Sequence, residues 1–72
     1  MTPAQLRGAR AILDLKQDTL ADLAMVSRQT ILDFEAGRRV PQRNNLAAIV
    51  RALSDAGIVF GADGSVRLES VR

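Results

Sequence analysis

The chain has 72 residues, a formal net charge of +2 at pH 7, and neither cysteine nor histidine. A chain of this length forms one small domain that buries only about 60% of its unfolded surface, so its stability margin is narrow. The missing residue types exclude disulfides, Cys–His zinc sites and nucleophile–histidine pairs. We therefore expect no enzyme, no metal or other cofactor, and no small-molecule ligand.

The charged residues are distributed unevenly along the chain. Nine of the ten basic residues are arginines, and residues 38–51 contain four of them without any acid. A basic patch on a weakly charged protein favours an oriented anionic partner, and a plain solvated face is the alternative. No apolar run approaches the roughly 20 residues that cross a bilayer, and the N-terminus lacks the pattern of a secretory signal. We expect a cytoplasmic protein without a membrane partner.

Apolar residues at helical spacing predict four helices. Their expected ranges are 3 to 14 or 15, 17–24, 28–37 and 43–56. Thr2 and Ser27 are good N-caps for the first and third helices, and Pro3 suits a first helical turn. Gly37 and Gly57 can adopt the left-handed conformation that ends a helix.

Residues 17–37 carry the most informative pattern of the chain. Apolar residues occur mainly where two short helices and the turn between them would pack together: Leu20, Ala21, Ala24, Val26, Ile31 and Phe34. This arrangement is typical of a helix-turn-helix, whose second helix lies in the major groove of DNA. The pattern predicts a protein that binds double-stranded DNA and is nucleoid-associated when bound.

The spacing of the apolar residues changes from helical to alternating after the fourth helix. Residues 58–60 favour a strand, Val66 and Leu68 alternate with polar neighbours, and the Asp-Gly pair at 63–64 marks a turn. The predicted fold class is mainly α: a compact bundle of about four helices with a helix-turn-helix, plus a short C-terminal β-hairpin. Because an isolated hairpin is marginally stable in water, this one must pack on the helices or pair with another chain.

The outward face of the third helix presents the residues that we expect to contact bases: Arg28, Gln29, Leu32 and Asp33. Arg28 and Gln29 lie at the N-terminus of the helix, the end that enters the groove deepest. Arginine suits guanine, glutamine suits adenine, and Leu32 suits a thymine methyl group. The alternative is an ordinary surface role for each residue and, for Leu32, also a contact with another helix or subunit.

Positioning contacts to the sugar–phosphate backbone are expected around this helix. They come from helix N-termini, which offer free N–H groups, and from arginines, for which a solvated face is the alternative. The expected backbone-contacting residues are Gln17, Ser27, Thr30, Arg38, Arg39, Arg43, Asn44 and Asn45. Glu35 is unsuited to a phosphate-facing surface, so we expect it to form a structural ion pair with Arg10 of the first helix.

Together these residues resemble the Xre-type helix-turn-helix regulators, the family that includes Cro and the phage repressors. The resemblance covers about residues 3–56 and rests on Leu15, Lys16, Gln17, Leu20, Ala21, Val26, Ser27, Ile31, Glu35, Ala36, Gly37, Pro41, Leu46 and Ile49. It implies a bundle of four or five helices that binds DNA as a dimer and controls transcription, usually by repression. It also implies the pairing of Arg10 with Glu35. Met25 departs from the glycine usual in the turn, so it must adopt a left-handed conformation or the turn must be wider.

The sequence thus predicts a transcription regulator of prokaryotic or phage type, a dimeric repressor on an inverted repeat whose half-sites lie about 34 Å apart. Autorepression is a further hypothesis. Residues 1–57 are expected to form the DNA-binding part and residues 58–72 the hairpin of the same domain. The residues expected to form the dimer interface are Ile58, Phe60, Val66 and Leu68. The alternative is a hairpin folded onto its own helices.

Two other classes of function remain open on the sequence. An antitoxin-like module would bind DNA secondarily and sequester a partner protein, and a longer flexible tail would favour it. A helical interaction domain without any DNA role is disfavoured by the acid-free run from Arg38 to Arg51.

Overall fold

The computed structural model describes residues 1–69 as four helices followed by two short strands. The elements are α1 (Pro3–Leu13), α2 (Gln17–Ala24), α3 (Arg28–Glu35), α4 (Arg43–Asp55), β1 (Ile58–Phe60) and β2 (Val66–Leu68). The predicted fold class, a helical bundle with a C-terminal hairpin, is confirmed. Residues 70–72, the end of the predicted segment 58–72, lie outside the described residues. Within the described part of the chain, no helix is long and apolar enough to span a bilayer.

Local side-chain chemistry determines where α1 and α3 begin. At α1, the Thr2 hydroxyl accepts from the N–H of Gln5 at 3.1 Å, and the Gln5 side chain accepts from the N–H of Thr2 at 2.8 Å. This capping box satisfies two N–H groups, one of which the start of a helix leaves without a partner. At α3, the Ser27 hydroxyl accepts from the N–H of Thr30. The predicted caps at Thr2 and Ser27 are therefore confirmed.

Residues with positive φ mark the ends of all four helices, with Met25 following α2. α1 stops at Leu13, slightly earlier than expected, because Asp14 takes the left-handed conformation with φ 52°. Gly37 follows α3 with φ 75°, and Gly57 follows α4 with φ 105°. Glycine adopts such angles without the clash that a Cβ atom would introduce. Both predicted glycine stops are therefore confirmed.

The hydrophobic core draws residues from all four helices and from β1. Five large side chains are fully buried: Leu6, Leu20, Ile31, Ile49 and Leu53. The rest of the buried hydrophobic set comprises Ala9, Ala21, Ala24, Phe34 and Ile58. Burying a side chain as large as leucine contributes about 1.5–3 kcal/mol relative to leaving it exposed. These contacts therefore hold α3 with one face to the core and the opposite face to solvent.

The hairpin folds back onto the helices of its own chain. β1 and β2 are antiparallel, with Ile58 opposite Leu68 and Phe60 opposite Val66. β2 lies against α1, and β1 lies against α4. Ile58 is only 3% exposed and belongs to the core, whereas Phe60 and Val66 are half-buried against it. Of the residues expected at a dimer interface, Ile58 is therefore buried by its own chain, whereas Leu68 is 52% exposed.

Candidate nucleic-acid interface

α3 divides its residues between two faces. Its inward residues are Ile31, Phe34 and Glu35, all of them buried. Its outward residues are the four expected base readers, Arg28, Gln29, Leu32 and Asp33, of which the first two are exposed and the last two half-buried. The inward residues hold the helix while the outward N-terminal residues stay accessible to a ligand as large as a DNA duplex.

Glu35 anchors α3 to α1 and to the start of α2. Arg10 donates from Nε and Nη2 to the two oxygens of the Glu35 carboxylate, at 2.5 and 2.8 Å. The Gln17 amide donates to the same carboxylate at 3.0 Å, and Arg7 donates to the main-chain oxygen of Glu35. The side chain of Glu35 is 6% exposed and that of Arg10 is 22% exposed. Paired charged hydrogen bonds of this kind fix orientation as well as distance.

The ion pair between Arg10 and Glu35 stays charged at neutral pH. Burial raises the pKa of Glu35, but the hydrogen bonds from Arg10 and Gln17 and the charges of Arg10 and Arg7 outweigh burial and lower that pKa below its ordinary value. The hydrogen bond to Glu35 raises the pKa of Arg10, and burial opposes this effect only in part. These contacts replace the hydrogen bonds with water that the Glu35 carboxylate loses on burial.

The turn between α2 and α3 contains Met25 in the left-handed conformation, with φ 58° and ψ 42°. Of the two alternatives left by the sequence, this is the one found. The Met25 side chain is 91% exposed, so the core does not hold it in place. A residue other than glycine in this conformation costs roughly 1–2 kcal/mol. The turn stays tight, because the N–H of Val26 donates to the carbonyl of Ala21 at 3.0 Å.

Carboxylates of the chain contact two of the arginines expected at DNA. Arg28 Nε lies 2.6 Å from Asp18 Oδ1, which links the start of α3 to the start of α2. Arg38 donates to Asp33 Oδ1 from Nε at 3.2 Å and from Nη2 at 3.1 Å, and Gln29 Nε2 donates to the same oxygen at 2.9 Å. The hydrogen bonds from Gln29 and Arg38 lower the pKa of Asp33. Arg28 and Asp18 are both exposed, and exposed pairs are weak and screened by salt, so a phosphate or a base can replace the Asp18 carboxylate.

A surface cleft lies between α3 and the segment that leads into α4, and we call it the α3–α4 cleft. Its volume is about 350 Å³. Its lining includes four of the expected backbone-contacting residues: Ser27, Thr30, Arg39 and Asn45. Gln29 and Asp33, expected to contact bases, line the same cleft. Its other lining residues, Val40, Pro41 and Gln42, were not expected at the site.

Four of the expected backbone-contacting residues are not part of the lining of this cleft, and one of them, Arg38, pairs with Asp33, which does line it. Arg43 is exposed at the start of α4. Asn44 lines a second groove of about 420 Å³, together with Leu23 and Met25, which we call the α2–α4 groove. Gln17 is half-buried, and its amide is turned towards the buried ion pair. The two neighbouring asparagines at 44 and 45 therefore face different surfaces.

Two further residues, Arg7 and Asp18, contact residues of the site and were not expected there from the sequence. Arg7 could have been found, because it lies three positions before Arg10 and so shares its side of α1. Asp18 pairs with Arg28 across two helices. No local pattern signals a contact of that kind, because it depends on how α2 and α3 are packed.

A family model described as Helix-turn-helix matches residues 6–54, more than half of the chain. The chain belongs to the Xre-type helix-turn-helix family. None of the curated proteins compared with it matches. Proteins of this family are DNA-binding transcription regulators, and this protein is therefore a DNA-binding transcription regulator as well. In such a protein α2 and α3 form the helix-turn-helix, and α3 is its recognition helix.

Proposed function

We propose that this regulator is a dimeric repressor that binds an inverted-repeat operator. The α3–α4 cleft carries the proposal, because its lining combines the positive charge of Arg39 with the polar groups of Ser27, Thr30 and Asn45. These side chains can bind phosphate oxygens, which position a protein on DNA without reading its sequence. One strand of the backbone would lie along the cleft while α3 enters the adjacent major groove.

The N-termini of α2 and α4 support the same face. Lys16 precedes α2 and Gln42 precedes α4, and neither side chain caps the N–H groups of the helix that follows. The starts of α1 and α3, in contrast, are capped by Thr2 and Ser27. Uncapped N–H groups and the positive end of a helix dipole suit a phosphate oxygen. We infer that both N-termini contact the DNA backbone, with Gln17 and Arg43 beside them.

On the base side, we propose that Arg28 contacts guanine, Gln29 contacts adenine and Leu32 contacts a thymine methyl group. Arg28 would exchange its contact with Asp18 for the guanine edge. Both residues of that pair are exposed, so little burial opposes the exchange. Each paired contact to a base edge is expected to contribute about 1–3 kcal/mol of discrimination.

The dimer would place two α3 helices about 34 Å apart, one turn of DNA, so that each reads one half-site. We propose that the hairpin joins the subunits. Its sheet has only two strands in residues 1–69, so each strand has one edge without a partner strand, and Leu68 is exposed beside it. A bound dimer would block transcription from the sequence that it covers. Autorepression fits such a protein, because occupancy of the operator then follows its own concentration.

A second candidate function is an antitoxin-like module that also binds a partner protein. The α2–α4 groove favours it, because Leu23 is 57% exposed and Met25 91% exposed at its edge. Exposed apolar residues beside a groove are typical of protein contacts. This candidate predicts that Leu23→Glu abolishes capture of a partner from lysate while DNA binding is unchanged. If the regulator has no protein partner, Leu23→Glu is expected to change neither the proteins captured from lysate nor the binding of DNA.

Selection from a library of random DNA duplexes tests the repressor proposal. The purified protein is mixed with the library at moderate salt, and the bound duplexes are sequenced. We expect an enriched inverted repeat whose half-sites lie about one helical turn apart. Arg51→Ala serves as the matched control, because it removes an exposed arginine of α4 that lines the α2–α4 groove rather than the α3–α4 cleft. Binding without any enriched sequence would contradict the proposal.

A further inference from the structure

Three hydrogen bonds meet at Asp33 Oδ1 on the outward face of α3. Gln29 Nε2 donates to it at 2.9 Å, and Arg38 donates from Nε at 3.2 Å and from Nη2 at 3.1 Å. Gln29 precedes Asp33 by four positions, so the two side chains lie on the same side of the helix. Both residues line the α3–α4 cleft. This contact therefore lies within the surface proposed to face DNA.

The chemistry of Asp33 fixes the orientation of the Gln29 amide. An ionised carboxylate can only accept hydrogen bonds, so the amide must turn its NH₂ group towards Asp33. The hydrogen bonds from Gln29 and Arg38 lower the pKa of Asp33, which keeps the carboxylate ionised at neutral pH. With one amide hydrogen engaged, Gln29 retains one N–H donor and its Oε1 acceptor for another partner.

Adenine and guanine offer different partners to such an amide. In the major groove, adenine presents an acceptor, N7, beside a donor, the N6 amino group, whereas guanine presents two acceptors, N7 and O6. A glutamine amide that is free can satisfy adenine with one donor and one acceptor, or guanine with both of its N–H groups. Gln29 has given one N–H to Asp33, so the groups that remain to it match adenine only.

We propose that Asp33 is a specificity-determining positioning residue that makes Gln29 select adenine over guanine by engaging one of its amide hydrogens. The inference rests on the proposed function, because it requires α3 to lie in the major groove. Asp33 acts through Gln29 and not on a base of its own. The Arg38 guanidinium offsets the negative charge of Asp33, which reduces repulsion between the carboxylate and neighbouring phosphates.

The test compares selections from a random duplex library with the full-length protein and its variants. The wild-type protein is expected to enrich adenine over guanine at one position of each half-site. Asp33→Ala is expected to reduce that preference about tenfold, within the range for one paired base contact, with guanine rising at the same position. Gln29→Ala is expected to lose the preference at that position as well. Asp33→Asn keeps a carbonyl oxygen for the Gln29 amide but adds an NH₂ donor that can pair with Gln29 Oε1, so it is expected to retain only part of the preference.

Asp55→Ala is the matched control, because it removes an exposed carboxylate at the end of α4 and is expected to leave every position unchanged. Thermal unfolding checks that each variant is folded. If Asp33→Ala is not folded, Asp33→Ser takes its place, since serine is too short to hold the Gln29 amide.

Two outcomes would overturn the positioning role while sequence reading by α3 stands. One is an unchanged ratio of adenine to guanine in Asp33→Ala. The other is a change at a position that Gln29→Ala does not alter, because Asp33 would then contact a base itself. If the wild-type protein enriches no sequence, the proposed function is overturned and the positioning role with it.

Discussion

The contacts of Glu35 decide how firmly α3 is held against α1. A carboxylate on a helix expected to face phosphate suggested an internal partner, and Arg10 is the residue that it contacts. Arg7 shares its side of α1 with Arg10, so its contact with Glu35 could have been predicted, but the contribution of Gln17 could not. The Gln17 side chain is long enough to reach several places, and only the packed helices decide between them.

We predict that Glu35→Gln lowers the free energy of unfolding by roughly 2–3 kcal/mol at neutral pH, because it leaves Arg10 partly buried without an opposite charge. Urea unfolding followed by circular dichroism measures the loss. Glu69→Gln is the matched control, since Glu69 is an exposed acid near the C-terminus and is expected to change stability little. A loss for Glu35→Gln no larger than that of the control would contradict a stabilising pair.

The pH dependence of stability follows from the same residue. The pKa of Glu35 is lower in the folded chain than in the unfolded chain, so its ionised form stabilises the fold. This contribution is complete above about pH 4.3, the ordinary value for glutamate, and is lost as the pH falls through the lower folded value. We expect Glu35→Gln to lose less stability than wild type between about pH 5 and pH 2. Equal losses would contradict the lowered pKa.

Met25 offers a third prediction at the scale of single residues. Glycine removes the strain of the left-handed conformation but gives the unfolded chain more freedom, so Met25→Gly is expected to stabilise the fold by about 0.5–1 kcal/mol. The exposed side chain contributes little packing that could be lost. A rise in Tm on thermal unfolding measures the effect. Met25→Ala keeps the strain and is expected to show no such rise, and a lower Tm for Met25→Gly would refute the expectation.

At the scale of elements, the helices could be predicted closely because their ends are set by local chemistry. Thr2 and Ser27 cap the starts of α1 and α3, and Gly37 and Gly57 follow the ends of α3 and α4. Each of these features depends only on residues nearby in the chain. The surface on which each side chain lies could be predicted less well than the ends of the helices. Asn44 and its neighbour at 45 look equivalent in the sequence, but the packing of α4 against α2 places them in different grooves.

Replacing Arg28 or Arg39 with alanine is predicted to weaken DNA binding in two different ways. Arg28 lies at the N-terminus of α3, so Arg28→Ala is expected to cost about 1–3 kcal/mol and to relax the preference at one base position. Arg39 lines the α3–α4 cleft, so Arg39→Ala is expected to weaken binding to all sequences alike. It should also reduce the slope of log affinity against log salt by about one.

Titrations of an enriched duplex and of an unrelated duplex at several salt concentrations separate the two effects. Arg51→Ala, in the α2–α4 groove, is expected to leave both the affinity and the salt slope close to wild type. An equal loss on both duplexes for Arg28→Ala would assign Arg28 to the backbone. A loss confined to the enriched duplex for Arg39→Ala would contradict its assignment to phosphate.

At the scale of the whole molecule, the hairpin is part of the same packed body as the helices. The sequence left open whether it packs on its own chain or on another, because its alternating pattern is compatible with either. Ile58 lies in the core and β2 lies against α1, so the hairpin needs no second copy to bury its inner residues. A dimer would therefore use its outer surface, where Leu68 lies.

Leu68→Glu is accordingly predicted to shift the protein towards monomer, because two-fold symmetry would bring two new carboxylates close together. Sedimentation equilibrium over a range of concentrations measures the effect. Leu23→Glu is the matched control, since Leu23 is equally exposed but lies on α2 beside the other groove. If Leu23→Glu dissociated the dimer and Leu68→Glu did not, the dimer interface would lie at the α2–α4 groove instead.

The most direct measurement is the mapping of amide chemical shifts of the ¹⁵N-labelled protein as a DNA duplex is added at low salt. We expect the largest changes in the first half of α3, in the residues of the α3–α4 cleft, and at the starts of α2 and α4. These changes are expected to reverse as salt is raised, because phosphate contacts release counterions. Changes centred on α1 or on the outer face of the hairpin, with the first half of α3 unaffected, would contradict the proposed DNA-binding face.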